Sequence, residues 1–143
     1  PSIVEAEALV QVLDTLSDVP AWVSFSCRDA GRLNDGAPFS DAVDVVAGHP
    51  WVVAVGVNCT SPTAVAGLVR VAAERSTTSI VAYPNKGGDW EAVAKRWTGN
   101  DLPDGLGPVA VELRQAGARL IGGCCGTTPS DIRAAADALR SAA

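Results

Sequence analysis

The sequence lacks long apolar runs and basic stretches. No apolar run approaches the roughly 18 residues that a membrane-spanning helix requires, so we expect no membrane segment. Eleven Lys and Arg residues against 16 Asp and Glu give a net charge of −5, which would repel a phosphate backbone and argues against a nucleic-acid partner. The composition therefore favours a small molecule or a protein as the partner.

The sequence also lacks methionine, and it has no signal segment in which a charged stretch precedes an apolar one. Its four cysteines do not follow the regular spacing of a disulfide framework, so a secreted disulfide scaffold is disfavoured. We therefore expect a reducing, cytoplasmic setting. Because residue 1 is Pro rather than Met, we also expect the chain to begin inside a longer protein.

Hydrophobic residues make up 48% of the 143 residues, which is enough for a packed core. This length and composition predict a single domain over residues 1–143. Short β-branched runs alternate with segments of helical periodicity. Strands are predicted over 22–26, 51–57, 79–83 and 119–123, and helices over 3–16, 40–47, 62–75, 90–97, 108–116 and 129–142.

The predicted strands begin roughly 30 to 40 residues apart, a spacing typical of parallel strands joined by crossover helices. The fold class is therefore α/β with a parallel sheet. Two architectures satisfy this pattern. One is an open doubly wound sheet, and the other is half of a (β/α)8 barrel, because a whole barrel needs on the order of 250 residues.

Two of the predicted strands end in similar motifs that contain cysteine. Cys59 follows the second strand, and Cys124 and Cys125 follow the fourth, and in both places a helix that begins with proline comes next. Because the carboxyl ends of parallel strands share one rim, both motifs are expected at the rim where α/β folds bind ligands.

The types of these residues point to a metal. Three cysteine sulfurs can surround zinc at about 2.3 Å and leave the fourth tetrahedral position open, which is typical of catalytic zinc. A zinc ion with three thiolates carries a net charge of −1 and suits the binding of a substrate thiol. Alternatively, the cysteines are small buried hydrophobic residues, or Cys124 and Cys125 form a disulfide in an oxidised protein without metal.

Three segments carry a resemblance to a known family. Residues 56–59 (Gly-Val-Asn-Cys), 83–85 (Tyr-Pro-Asn) and 117–129 resemble the carboxyl half of the homocysteine S-methyltransferase family. Members of that family are zinc-containing (β/α)8 barrels that transfer a methyl group from a sulfonium or ammonium donor to homocysteine, giving methionine. The resemblance implies that the four strands are strands 5 to 8 of the barrel and that Cys59, Cys124 and Cys125 are the zinc ligands.

The resemblance also bears on the donor and on partners. Residues 83–85 with Trp90 and Trp97 are more similar to members that use S-methylmethionine; S-adenosylmethionine is the other sulfonium donor. The first four strands of the barrel are absent from this sequence, and two sheet edges would be exposed. We therefore expect the chain alone to be inactive and to pair with its amino-terminal half or with another copy.

Other residues at the same rim are weaker candidates. Asn58 and Asn85 lie at strand ends, where each could contact substrate or orient a thiolate by hydrogen bonding, or could simply stabilise a turn. Cys27 is expected to be a wall or loop residue, and His49 a capping or surface residue on the opposite rim.

Two other functions fit parts of the sequence. Residues 126–128 (Gly-Thr-Thr) before a helix could bind phosphate, as in a half-barrel of a phosphosugar enzyme, although this loop holds no Lys or Arg. The chain could instead be a non-catalytic module that binds zinc or thiols.

Overall fold

The computed structural model describes residues 1–16, 18–99, 102 and 104–142, without the side chains of residues 89, 90 and 97. Its helices are α1 (Ile3–Thr15), α2 (Phe39–Val46), α3 (Pro62–Arg75), α4 (Leu106–Ala116) and α5 (Pro129–Ser141). Its strands are β1 (Ala21–Phe25), β2 (Val52–Asn58), β3 (Ser79–Tyr83), β4 (Asp89–Glu91), β5 (Arg96–Thr98) and β6 (Ala118–Ile121).

Four of the strands form one parallel sheet in the order β1-β2-β3-β6. This order follows the chain without a reversal. A doubly wound sheet reverses its strand order at a switch point, whereas neighbouring strands of a (β/α)8 barrel follow one another in sequence. The topology thus favours the barrel half over the doubly wound sheet.

The helices cover only one face of this sheet. Val23, Phe25 and Val55 point from that face into the main core, which they share with buried residues of α1, α2 and α3. On the other face, Trp22 is 59% exposed and Leu120 is 44% exposed. A parallel sheet with helices on one side and an open apolar face on the other is what one wall of a barrel looks like.

Gly56 explains why a glycine interrupts the apolar run of β2. A Cβ atom at this position would lie 1.7 Å from the carbonyl oxygen of Val81 on β3. No side chain fits there, so glycine permits the close approach of the two central strands.

The helix predicted over 90–97 is wrong, because this segment is an antiparallel hairpin of β4 and β5. Left-handed backbone at Lys95 (φ +49°), inside this segment, is incompatible with a continuous helix, and Gly88 (φ +81°) and Gly99 (φ +86°) have left-handed backbone on either side of the hairpin. A Cβ atom at Gly88 would also lie 2.1 Å from the carbonyl oxygen of Thr98, so the hairpin depends on glycine there.

The remaining elements are close to their predicted bounds, and their ends have local causes. Thr128, the N-cap of α5, accepts a hydrogen bond from the backbone N–H of Asp131, whose carboxylate accepts the N–H of Thr128 in return. In contrast, α2 begins at Phe39 with Pro38 at its N-cap, and Ser40 lies inside the helix rather than capping it. None of the described helices has the length and apolar character that crossing a bilayer would need.

Candidate metal centre

The three cysteines that the sequence singles out lie in two turns at the carboxyl-terminal edge of the sheet. Cys59 follows the last residue of β2 and has a left-handed backbone, with φ of +47°. Cys124 and Cys125 lie beyond β6, where the backbone turns and Thr127 donates its N–H to the carbonyl of Cys124 at 3.1 Å. Because the turn ends the alternation of a regular strand, two adjacent cysteines can serve one site.

The sulfur atoms of these residues form one cluster. The Sγ atoms of Cys59 and Cys125 are 3.4 Å apart, those of Cys124 and Cys125 are 4.0 Å apart, and all three lie within 4.8 Å of one another. Cys59 and Cys124 are half-buried, and Cys125 is exposed. The structure thus brings together three residues that sequence reasoning placed at one rim.

The dimensions and the sulfur atoms of this cluster suit a tetrahedral metal ion such as zinc. Tetrahedral zinc at about 2.3 Å from each sulfur would separate the sulfurs by about 3.8 Å, between the two distances given above. In the described part of the chain, no His, Asp or Glu belongs to the cluster. Three protein sulfurs leave one tetrahedral position for another ligand.

The last residue of β3 and the three residues that follow it, 83–86, lie between the two turns and bond to both. The carbonyl of Tyr83 accepts the N–H of Cys59 at 3.0 Å, and the carbonyl of Pro84 accepts the N–H of Cys124 at 2.7 Å. Lys86, two residues after Pro84, donates its N–H to the carbonyl of Cys125 at 2.8 Å. The spacing of the cysteines is therefore set by main-chain hydrogen bonds to one extended segment.

The protonation state of Cys59 depends on its surroundings. Burial raises the pKa of the Cys59 thiol to about 12, and hydrogen bonding with the thiols of Cys125 and Cys124 adds to the increase. Without a cation, Cys59 is thus a protonated thiol at neutral pH. A divalent cation would supply the positive charge that thiolates need in this cluster.

The two asparagines at this rim have different surroundings. Asn58 ends β2 half-buried, and its backbone carbonyl accepts a hydrogen bond from the hydroxyl of Thr60 at 3.0 Å. Asn85 is buried, and its Oδ1 atom accepts the N–H of Gly87 at 3.0 Å. The side chain of Asn85 thus stabilises a turn next to the cluster.

Sequence reasoning did not identify Thr60 or Lys86. The Lys86 ammonium lies 3.7 Å from the carboxylate of Asp131, at the start of α5. The Thr128 to Asp131 capping pattern is visible in the sequence, but the lysine comes from a distant loop and has no local signal. Thr60 stands beside Cys59 in the sequence, and nothing in that position indicates its burial.

Two other residues lie apart from the cluster, as expected. Cys27 is buried in the core at 6% exposure, and burial raises the pKa of its thiol to about 12, with a further increase from nearby Asp29. The ring of His49 is buried between α1 and β2, where it lies 3.2 Å from Asp14 and accepts the N–H of Trp51. His49 is therefore a structural link rather than a surface residue.

Comparison with known proteins identifies the chain. The sequence profile of homocysteine S-methyltransferase matches residues 1–139. The chain belongs to the homocysteine S-methyltransferase family. The two turns with cysteine and the segment between them are thus features of a family member.

Relatives in the family match nearly the whole chain. It is 40% identical over 136 residues to the homocysteine S-methyltransferase of Escherichia coli, covering 94% of the chain and 44% of that protein. It is 34% identical over 141 residues to the homocysteine S-methyltransferase of Bacillus subtilis, and the match covers 99% of the chain and 45% of that protein. It is 36% identical over 138 residues to the selenocysteine Se-methyltransferase of Brassica oleracea, and the match covers 94% of the chain and 40% of that protein. The chain spans less than half the length of these relatives.

Solved structures of the family share the fold. The oxidised form of the Escherichia coli homocysteine methyltransferase superposes with a TM-score of 0.77 at 35% identity, covering 100% of this chain and 43% of that one. The metallated form of the same enzyme gives a TM-score of 0.72 at 36% identity, covering 94% and 41%. The predicted fold class is confirmed: the parallel sheet and its helices form part of a TIM barrel.

Proposed function

We propose that the protein transfers a methyl group to the thiol of homocysteine, giving methionine, at a zinc ion held by Cys59, Cys124 and Cys125. The observation that carries the proposal is the cluster of three sulfurs within 4.8 Å, open at the carboxyl-terminal edge of the sheet. The same edge holds the active sites of (β/α)8 enzymes.

The cysteines and their surroundings have defined tasks in this reaction. When bound, zinc supplies a position at which a substrate thiol loses its proton at neutral pH. The exposure of Cys125 leaves the cluster accessible to substrate from solvent. The main-chain hydrogen bonds from residues 83–86 keep the sulfurs in place, so that little reorganisation accompanies substrate binding.

The proposed donor is a sulfonium compound, S-methylmethionine or S-adenosylmethionine. The homocysteine sulfur attacks the methyl carbon, the bond between that carbon and the donor sulfur breaks, and the donor leaves as a neutral thioether. At the carboxyl-terminal end of the open apolar face, Tyr83 and Gly123 line a surface beside the Cys124 turn. The aromatic ring of Tyr83 is suited to a sulfonium cation. The side chains of Trp90 and Trp97, which support the donor assignment by resemblance, lie outside the described part of the structure.

Activity requires the rest of the barrel in this proposal. The strands β1 and β6 are at the edges of the described sheet, and the face with Trp22 and Leu120 is open. Four further strands would pair both edges and cover this face, which matches the chain's span of less than half of its relatives. We propose the amino-terminal half as this partner, with a second copy of the chain as the other outcome. A cytoplasmic location follows from the need for reduced thiols.

The phosphate-binding alternative has less support. The start of α5 already holds an anion, because the carboxylate of Asp131 accepts hydrogen bonds from the N–H and the hydroxyl of Thr128. The ammonium of Lys86 is directed to the same carboxylate. A phosphate would have to displace Asp131 from both partners.

Metal and ligand binding test the proposal. The complete protein, reduced and mixed with its amino-terminal half where this is separate, should bind one zinc ion per chain by elemental analysis. Zinc should be lost in Cys59→Ser and retained in the matched control Cys27→Ser, because Cys27 lies in the core. Absence of zinc from the reduced mixture would refute the mechanism.

Homocysteine binding separates the enzyme from a non-catalytic module. The zinc-loaded protein should bind homocysteine in calorimetry and should not bind homoserine, which carries a hydroxyl in place of the thiol. Methyl transfer should then be measured with each sulfonium donor, for the chain alone and with its amino-terminal half. Zinc binding without affinity for homocysteine would favour the module instead.

A further inference from the structure

Thr60 and Asn85 are the buried polar residues of the described part of the chain, at 2% and 8% exposure. Burial of polar groups is unfavourable unless their hydrogen bonds are made. Both residues adjoin the cysteine cluster, and they are bonded to each other, since Asn85 donates its N–H to the carbonyl of Thr60 at 3.2 Å. The burial of these two residues beside the cluster therefore depends on the hydrogen bonds that they make there.

The hydroxyl of Thr60 links the ends of two strands. It accepts the N–H of Cys27, just beyond β1, at 2.9 Å, and it donates to the carbonyl of Asn58, at the end of β2, at 3.0 Å. Between Asn58 and Thr60 stands Cys59, whose left-handed backbone is unfavourable for a residue other than glycine. Such a conformation persists only where the neighbouring groups fix it.

The bonds of Thr60 continue to the other cysteines. Its carbonyl accepts the N–H of Asn85, whose side chain in turn fixes the turn at Gly87. The neighbours of Asn85 in the chain, Pro84 and Lys86, bond to Cys124 and Cys125. A path of hydrogen bonds and peptide links therefore runs from Thr60, next to Cys59, to Cys124 and Cys125.

From this path we propose that Thr60 is a positioning residue for the metal site: its hydroxyl fixes the turn that directs the Cys59 sulfur toward Cys124 and Cys125. Thr60 contacts neither metal nor substrate in this role and acts through Cys59. The inference rests on the metal site of the proposed function and adds a residue to it.

The matched variants are Thr60→Val, which keeps the shape and removes the hydroxyl, and Thr60→Ser, which keeps the hydroxyl. Thr15→Val makes the same change on an exposed helix end and serves as the control. Cobalt(II) is titrated into the complete reduced protein, and its affinity is measured by competition with a chelator. We expect Thr60→Val to lose roughly tenfold or more in affinity and to change the sulfur-to-cobalt absorption, as partners of metal ligands do. Thr60→Ser and Thr15→Val should stay close to the unmodified protein.

A second readout does not need a metal. In the metal-free protein, diamide takes up the two thiol hydrogens as a disulfide forms between Cys59 and Cys125, and the rate reports how well the two sulfurs are placed. We expect the reaction to be severalfold slower in Thr60→Val and restored in Thr60→Ser. If folded Thr60→Val keeps the original affinity, spectrum and rate, the inference is wrong while the proposed function stands.

Failure of the proposed function gives a different result. If the unmodified protein binds neither cobalt nor zinc, the zinc mechanism fails, and the disulfide rates alone then decide whether Thr60 positions Cys59. If Thr60→Val does not fold, Thr60→Ala and Thr60→Ser form the pair, since Ser keeps the hydroxyl that Ala lacks. Equal rates and affinities for these two variants would also overturn the inference.

Discussion

The sulfur atoms of Cys59 and Cys125 lie 3.4 Å apart, although 66 positions separate the two residues in the sequence. The sulfurs of the adjacent residues Cys124 and Cys125 are farther from each other, at 4.0 Å. The packing of the two turns thus brings distant cysteines closer together than neighbouring ones. This order of distances leads to a prediction about oxidation.

Mild oxidation of the metal-free protein should link Cys59 to Cys125 rather than Cys124 to Cys125. The cause is the shorter distance, which favours attack by one of these sulfurs on the other once an oxidant has activated it. Mass spectrometry of peptides from a digest without reduction would identify the link. Cys125→Ser should abolish it and Cys27→Ser should not, and a main product with Cys124 joined to Cys125 would contradict the prediction.

Replacement of Gly56 by alanine should destabilise the protein strongly. The new Cβ atom would lie 1.7 Å from the carbonyl oxygen of Val81, and backbone of a central strand cannot move away easily. We expect a loss of more than about 3 kcal/mol in the free energy of unfolding. The matched control is Gly48→Ala, where a Cβ atom meets nothing within 4 Å, and the expected change is below about 1 kcal/mol. Urea unfolding of both variants measures the difference, and similar midpoints would refute the argument.

Asp131→Ala should reduce stability at neutral pH by about 1 kcal/mol, because the carboxylate that accepts the N–H and the hydroxyl of Thr128 is lost. Hydrogen bonds from Thr128, and then the charge of Lys86, lower the pKa of Asp131 below its ordinary value of 3.8. This stabilisation is therefore present above pH 4 and disappears as the pH falls through the lowered pKa. The difference between the unmodified protein and Asp131→Ala should shrink in acid.

The control for this prediction lies in the same helix. Asp137 pairs with Arg140 on the exposed surface, and Asp137→Ala should change the free energy of unfolding by less than about 0.5 kcal/mol. Urea unfolding at several pH values checks both variants. A constant difference for Asp131→Ala down to pH 2 would show that its carboxylate is not the source of the stability.

The grouping of the three cysteines could be predicted from the sequence because it depends on local patterns. Each motif combines the end of an apolar run with a turn and a helix that begins with proline, and parallel strands place such ends at one rim. The order of the strands could then be predicted from the rule that successive strands in a barrel are neighbours. The contact of Thr60 with Cys27 could not be read in this way, since it joins the ends of different strands.

The hairpin shows where local patterns fail. Residues 90–97 contain alanine, lysine and valine at spacings that suit a helix, but the outcome depends on flanking positions. The left-handed backbone at Gly88 and Gly99 lets the two short strands meet. Glycine adopts left-handed and ordinary backbone conformations with similar ease, so its presence in the sequence does not specify this geometry. Periodicity alone therefore predicted the wrong element.

The extended segment of residues 83–86 makes its bonds to the cysteine turns through main-chain atoms. Every residue type except proline has the same N–H and C=O groups, so substitutions in this segment can leave those bonds in place. Tyr83 and Asn85 bond to the Cys59 turn, and Pro84 and Lys86 bond to the turn with Cys124 and Cys125. An inserted or deleted residue would instead direct these groups to the wrong turns. The number of residues between β3 and the hairpin is therefore under stricter control than the identity of those that bond only through main-chain atoms, whereas Asn85 also bonds through its side chain.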